Sequence, residues 1–278
     1  MSGYIDVNIS IQLLPRIASD TGRSEELMVD VFHFLVICHI ITGAIGIVAF
    51  WVPVTTVKGG SKHVLFGRIF AVCMLMTGTF AIGISTSTLL VPLETHPAFD
   101  DAALVRGIFG WMMLYLALLT INLAWFGWQA AWNKRDHAKN WEWRNLVLQV
   151  LVTVTAVNCL VQGILIGQVL MIGISFVGFA TVATNMWFLM KEKPGPRDWM
   201  MEHIKAIVGA GISVYTAFLA FGAVRFMPSM ALSPALWAVP LITGISLIVY
   251  HQRRVRRRGG SGSRGAAAAS GIGAESAS

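Results

Sequence analysis

Long apolar runs separated by short polar, basic or glycine-bearing stretches recur along most of the chain. Each run is continuous over about 20 residues, the length that crosses a bilayer as a helix; strands of a membrane barrel would instead alternate over about ten. The pattern predicts seven spans: Val31 to Val54, Val64 to Val91, Ala103 to Ala131, Leu146 to Gln162, Val169 to Met190, Ile204 to Phe226 and Ala235 to Tyr250. Residues 146–190 do not form one helix, because such a rod would far exceed a hydrocarbon core of about 30 Å. The stretch Gln162 to Gln168 carries two glycines, Gly163 and Gly167, and predicts a turn at the membrane surface.

Composition agrees with the pattern. Of 278 residues, 55% are hydrophobic and 13% charged, and the mean hydropathy is +0.67. Soluble domains carry about 25% charged residues, so an ordinary cytosolic enzyme and a disordered chain are both excluded. The expected fold is all-α, a polytopic transmembrane helical bundle, with the lipid bilayer as its partner. Cys38, Cys73 and Cys159 all fall in apolar runs and read as small packing residues rather than a disulfide or metal framework. No cleavable signal peptide is expected at the amino terminus.

The net charge of +7 is distributed unevenly. Seventeen of the 21 Lys and Arg follow spans one, three, five and seven or lie just inside the next span; only Arg16, Arg23, Arg106 and Arg225 fall on the other side, beside Glu94, Asp100 and Asp101. The positive-inside rule then predicts an amino terminus outside and a carboxyl terminus in the cytoplasm, in a cell (inner) membrane. Three regions follow: an extracytoplasmic segment 1–30, a seven-helix domain 31–251, and a tail 252–278 that is first basic and then Gly/Ala/Ser-rich. Ile9 to Ala18 reads as a short interfacial piece interrupted by Pro15. The arginines at 253–258 have the composition of a nucleic-acid or anionic-lipid patch, but a positive stop after the last span already explains them, and nucleic acid is not an expected partner. Residues 259–278 offer little apolar surface and are expected to be disordered.

No Asp, Glu, Lys or Arg falls in the middle of a predicted span, which argues against an ion-coupled transporter or proton pump. The polar residues inside the spans are neutral: Asn122, Gln149, Asn158, Asn185 and Ser85 to Thr88. They read as helix-to-helix hydrogen bonds. Gly43, Gly46, Gly78, Gly83, Gly173, Gly178, Gly209 and Gly211 read as close-packing positions.

Histidine carries the remaining chemical information. His39 lies about 12 Å into span one at 1.5 Å per residue. His63 and His203 lie at matching depth at the starts of spans two and six, and His33 and His251 also mark span ends. Gly43 and Gly67 each follow a histidine by one helical turn, where a missing side chain admits a neighbouring helix or a flat ligand. The stretch His39, Gly43, Lys58-Gly59-Gly60, His63, Gly67-Arg68 and Phe70 resembles the signature of a prokaryotic family of multi-pass membrane proteins, known only as domain of unknown function 2306. Trp199, Glu202-His203, Gly209 and Thr216-Ala217-Phe218 are similar to a second motif of related proteins. The resemblance covers spans one, two and six. It implies no activity, but it implies that His39, His63, Arg68 and His203 belong to one constellation. Small membrane cytochromes b are similar in outline, yet their four-histidine, two-haem arrangement is absent.

Three readings follow. In the first, His63 and His203 supply axial nitrogens to a haem b, with Arg68 or Lys205 near its propionates. In the second, His39, His63 and His203 surround zinc in a membrane-embedded hydrolase, although no intramembrane carboxylate is present as a base. In the third, the chain serves in transport, sensing or assembly without intrinsic catalysis, its histidines are structural, and its small-molecule ligand or oligomer partner is open. Nucleophilic triads, phosphate-cradling loops and dinucleotide fingerprints are absent from the sequence.

Overall fold

The computed structural model describes the backbone of residues 4–222 and 234–275, and the side chains of residues 22–222 and 236–257. Among these residues there are helices and no strands. The main helices are α1 (Tyr4–Thr55), α2 (Ser61–Leu90), α3 (Pro92–Thr95), α4 (Ala102–Val105), α5 (Met113–Trp132), α6 (Trp143–Leu165), α7 (Val169–Leu189), α8 (Asp198–Ala217) and α9 (Pro234–Glu275). A π-helical turn, Arg106–Met112, joins α4 to α5, and a second, Phe218–Gly222, extends α8.

Six segments are long and apolar enough to cross a membrane: Gly22–Thr55, Ser61–Leu90, Ala102–Trp132, Trp143–Leu165, Val169–Leu189 and Asp198–Gly222. This architecture suits a multi-pass membrane protein. They correspond to the first six predicted spans. The seventh, Ala235 to Tyr250, lies within α9 and is not among the six; its 16 apolar-rich residues rise only about 24 Å as a helix. The amino-terminal expectation also needs adjustment. Residues 4–30 belong to α1, which runs on through Pro15, and do not form a separate short piece. At the other end, α9 extends to Glu275 across the tail expected to be disordered, where the four consecutive alanines from Ala266 favour helix.

Two turns depend on glycine. Gly59 (φ +79°) closes the α1–α2 connection and Gly167 (φ +69°) the α6–α7 connection. Only glycine adopts this left-handed region without a Cβ penalty. After α6, the Gln168 N–H donates to the Gly163 carbonyl at 2.8 Å, closing the helix end as expected for a glycine-terminated helix. At the start of α4, Asp101 Oδ1 accepts from the Ala103 and Leu104 N–H groups at 2.9 and 3.0 Å, an N-cap of the usual kind.

α1 and α2 are antiparallel neighbours along their length, as the tight turn predicts. α5 is the central element, flanked by α2, α6 and α8; α7 lies on α6 and α9 on α8. Tyr115, Phe70, Phe126, Phe188, Met74, Met112 and Met171 fill the interior, with Cys73 and Cys159 among the small residues between them. Several predicted close-packing glycines do admit a neighbour: Gly46 meets Met74, Gly78 meets Ile121, Gly83 meets Leu35, Gly178 meets Tyr115 and Gly211 meets Phe50. Gly173 and Gly67 do not, because both face open space. Gly43 touches Thr77 and Val214 only at ordinary van der Waals distance. Neither glycine therefore marks a close approach of a neighbouring helix, one of the two roles suggested by its place beside a histidine.

The expected helix-to-helix bonds form for three amides but not for Ser85 to Thr88, whose hydroxyls each donate to a carbonyl one turn back in α2 itself. Asn122 on α5 and Gln149 on α6 exchange two hydrogen bonds, at 3.2 and 3.1 Å. Asn185 on α7 donates to both, at 3.3 Å each. All three are buried, and Asn185 Oδ1 has no partner. Formal charges within the six segments stay within about two turns of a segment end, Asp30, Arg68 and Lys205 reaching farthest in.

Candidate functional site: a histidine pair at the basic end

The end of the bundle formed by the α1–α2, α5–α6 and α7–α8 connections and the middle of α9 carries the clustered lysines and arginines. It is called the basic end below. The last carbonyls of α1 there have no intrahelical partner, and side chains supply one. Lys58 folds back so that Nζ donates to the Pro53 and Val54 carbonyls, both at 2.7 Å. His63, on the first turn of α2, approaches the same Pro53 carbonyl through Nδ1 at 3.0 Å. A cation or N–H donor at a helix carboxyl end also interacts favourably with the helix dipole, typically by about 0.3–1 kcal/mol.

His203 comes from the first turns of α8. Its Nδ1 lies 2.8 Å from the Gly127 carbonyl of α5. The two imidazoles, at equal depth on different helices, approach to 6.5 Å between ring centroids with their planes at 64°. With Nδ1 of each donating to a backbone carbonyl, Nε2 is the nitrogen left to bind something else. This is how metal-binding histidines are usually oriented by their surroundings. α2 and α8 otherwise touch little, because both pack against α5, and the ring pair is one of the few places where they meet.

The rest of the expected constellation is not assembled around this pair. His39 hydrogen-bonds through Nδ1 to the Thr77 carbonyl at 3.0 Å, beside a Thr77-to-Thr42 hydroxyl bond of 2.8 Å. It lies 16 residues before the end of α1, more than about 20 Å from the basic end along the axis. Arg68 is exposed, with its guanidinium 6.0 Å from the centroid of the Trp132 ring. Lys205 is engaged by Glu202 and by Thr184 Oγ1, the latter at 3.0 Å. Both basic residues expected near haem propionates thus have other partners. Among the described residues, no three His, Cys, Asp or Glu side chains are grouped to hold a metal ion.

Two contributors go beyond the predicted set. His251 on α9 and Lys58 in the turn both stand within electrostatic reach of this cluster, together with Arg254. Burial and the neighbouring Arg254 hold the Lys58 ammonium below its ordinary value. Burial, Lys58 and Arg254 do the same to the His251 imidazolium. His251 was legible as a span-end histidine. Its approach to the others follows from the packing of α9 on α8, which hydropathy does not encode.

The basic end has a second capped helix terminus. Trp141 Nε1 donates to the Leu189 carbonyl of α7 at 2.7 Å, and His137 Nε2 lies 3.2 Å from the same oxygen. A shallow depression of about 340 Å³ runs along Trp132 to Asp136 and Lys139, away from the paired imidazoles. No family model, curated protein or solved structure matches the chain.

Proposed function

We propose that the chain is a seven-span protein of the cell membrane, with its amino terminus outside and the basic end in the cytoplasm, in which His63 and His203 would together hold one haem. The observation that carries this reading is the 6.5 Å approach of the two rings. Two imidazoles that shared one metal ion through bonds of about 2.0–2.1 Å would have ring centroids within roughly 6 Å, close to the separation here. Haem needs only two protein nitrogens, and two are what converge here. The Nδ1 bonds to the Pro53 and Gly127 carbonyls support the ring orientations and leave both Nε2 atoms available. When bound, haem supplies one-electron chemistry; the chain's own part is to hold and orient the two imidazoles.

The asymmetry of Lys and Arg supports the orientation. The apolar part of α9, with Leu236 and Trp237 buried, supports a seventh span. Membership of the multi-pass family that the motifs resemble belongs to the same proposal and adds no activity to it. The geometry gives the zinc hydrolase less support, since His39 is remote and catalytic zinc takes three protein ligands.

An absorption spectrum of the detergent-purified protein, with and without added hemin, tests this reading. A Soret band is expected that is lost in both His63→Ala and His203→Ala while His39→Ala retains it. A wild-type protein that folds but shows no band after hemin addition overturns the haem assignment, and the reading of transport, sensing or assembly without catalysis takes its place.

A further inference from the structure

The α5–α6 and α7–α8 connections enclose a cleft of about 160 Å³ at the basic end. One wall carries Lys134, Arg135, His137 and Asn140; the other is the loop before α8 with Trp199. A single water needs about 10–15 Å³ of such space, so a small polyatomic group has room here. His137 is held in place, its Nε2 3.2 Å from the Leu189 carbonyl and its ring edge-on to Phe188 with centroids 4.6 Å apart. Asn140 is only 2% exposed. Its Oδ1 accepts from Asn133 Nδ2 at 3.2 Å, and its backbone carbonyl accepts from Asn145 Nδ2 at 2.8 Å. Among the described residues its own Nδ2 has no acceptor. Lys134 reaches the opposite wall, where Nζ stands 5.7 Å from the centroid of the Trp199 ring. The nearby carboxylates are committed: Asp136 pairs with Lys139 at 3.4 Å, and Asp198 with Lys191 at 2.8 Å and the Gly195 N–H at 3.0 Å. Among the described residues neither Lys134 nor Arg135 has an acidic partner, and no carboxylate lines the cleft.

We infer that this cleft binds one phosphate group, with Lys134 and Arg135 as its cationic contacts and the Asn140 amide as a neutral donor. The guanidinium offers a planar fork that matches two phosphate oxygens, and the ammonium a compact charge on a flexible stem. Hydrogen bonds from such groups to phosphate are about twice as strong as neutral ones. A buried amide N–H without an acceptor is costly, and a phosphate oxygen relieves that cost. Trp132, Trp141 and Trp143 are exposed around the same connection, as tryptophans at a membrane–water interface are, which sets the cleft at headgroup level. A phospholipid headgroup and free inorganic phosphate share this chemistry. The cleft has no residue in common with the histidine pair, so the inference stands apart from the haem reading.

The test uses the full-length protein in nanodiscs of phosphatidylcholine titrated with phosphatidylglycerol, and in phosphatidylcholine discs titrated with inorganic phosphate against chloride at equal ionic strength. The midpoint of thermal unfolding is the readout. Stabilisation by phosphatidylglycerol alone identifies a lipid headgroup, and stabilisation by inorganic phosphate identifies a soluble ligand. In either case Lys134→Gln and Arg135→Gln each raise the half-saturating anion concentration at least about tenfold, the loss expected for a hydrogen bond to a charged group. Lys62→Gln, the same charge change on exposed α2, leaves it unchanged. An equal response in all three variants, or no stabilisation by either anion, overturns the site. Hemin titration separates the two ideas: His63→Ala removes the Soret band and keeps the anion response, whereas Lys134→Gln does the reverse.

Discussion

A carboxamide in hydrocarbon has no water to turn to, so Asn122, Gln149 and Asn185 satisfy one another. Replacing Asn122 with Ala removes the acceptor of two bonds and the donor of a third, and should destabilise the protein by about 1–3 kcal/mol. Val154→Ala on the exposed face of α6 is the matched control, and unfolding of the two purified variants in detergent makes the comparison. His251 sets a pH dependence. Its folded-state pKa lies below the ordinary 6.5, chiefly through burial and then through Lys58 and Arg254, so protons bind the unfolded chain more tightly. Its contribution to stability is complete above about 6.5 and is lost as pH falls from there through the lowered value. Midpoints measured between about pH 7.5 and 5.5 should fall, and His251→Gln should fall less. At this scale the sequence identified the unusual residues well, since an amide or imidazole stands out against an apolar run. Their partners were not legible. The amide triad depends on the rotation of three helices, and the cap formed by Lys58 depends on a turn that hydropathy does not describe.

Elements are bounded here by backbone chemistry more than by hydrophobic length. Gly59 and Gly167 turn the chain after α1 and α6 by adopting positive φ, and Gly59→Ala should cost about 1 kcal/mol through strain at that turn. Glycines within helices divide into two groups. Gly211→Leu forces a side chain against Phe50 and should separate α1 from α8, seen as a lower melting midpoint and poorer recovery from the membrane. Gly67→Ala meets open space and should be neutral or slightly stabilising by the same assays, because alanine is the better helix former. The sequence anticipated the centre of each of the first six spans because twenty apolar residues admit few alternatives. It misjudged Gly173 because recurrence along a helix does not say which face has a neighbour. The π-helical turns at Arg106–Met112 and Phe218–Gly222 had no sequence signal, since the extra residue in each is accommodated by packing.

For the whole molecule, the proposed orientation makes a simple claim about sidedness. Reporters fused at Ser278 and within residues 92–102 should lie on opposite sides of the membrane, the first cytoplasmic; a cytoplasmic result for both refutes the orientation or the span count. The all-helical architecture was legible because composition alone excludes most other classes. The convergence of His63 with His203 was legible only as a possibility of depth, because hydropathy orders helices along the chain and not around the bundle. The charge-free interior has one more consequence. Carrying a unit charge through 100 mV of membrane potential involves about 2.3 kcal/mol, the means by which voltage-sensing proteins are driven. Between their charged ends the six described segments hold amides, hydroxyls, apolar groups and the His39 imidazole, with no Asp, Glu, Lys or Arg for the field to act upon. A rearrangement confined to that interior moves no gating charge, so its equilibrium should be the same in an energised cell and in a depolarised one.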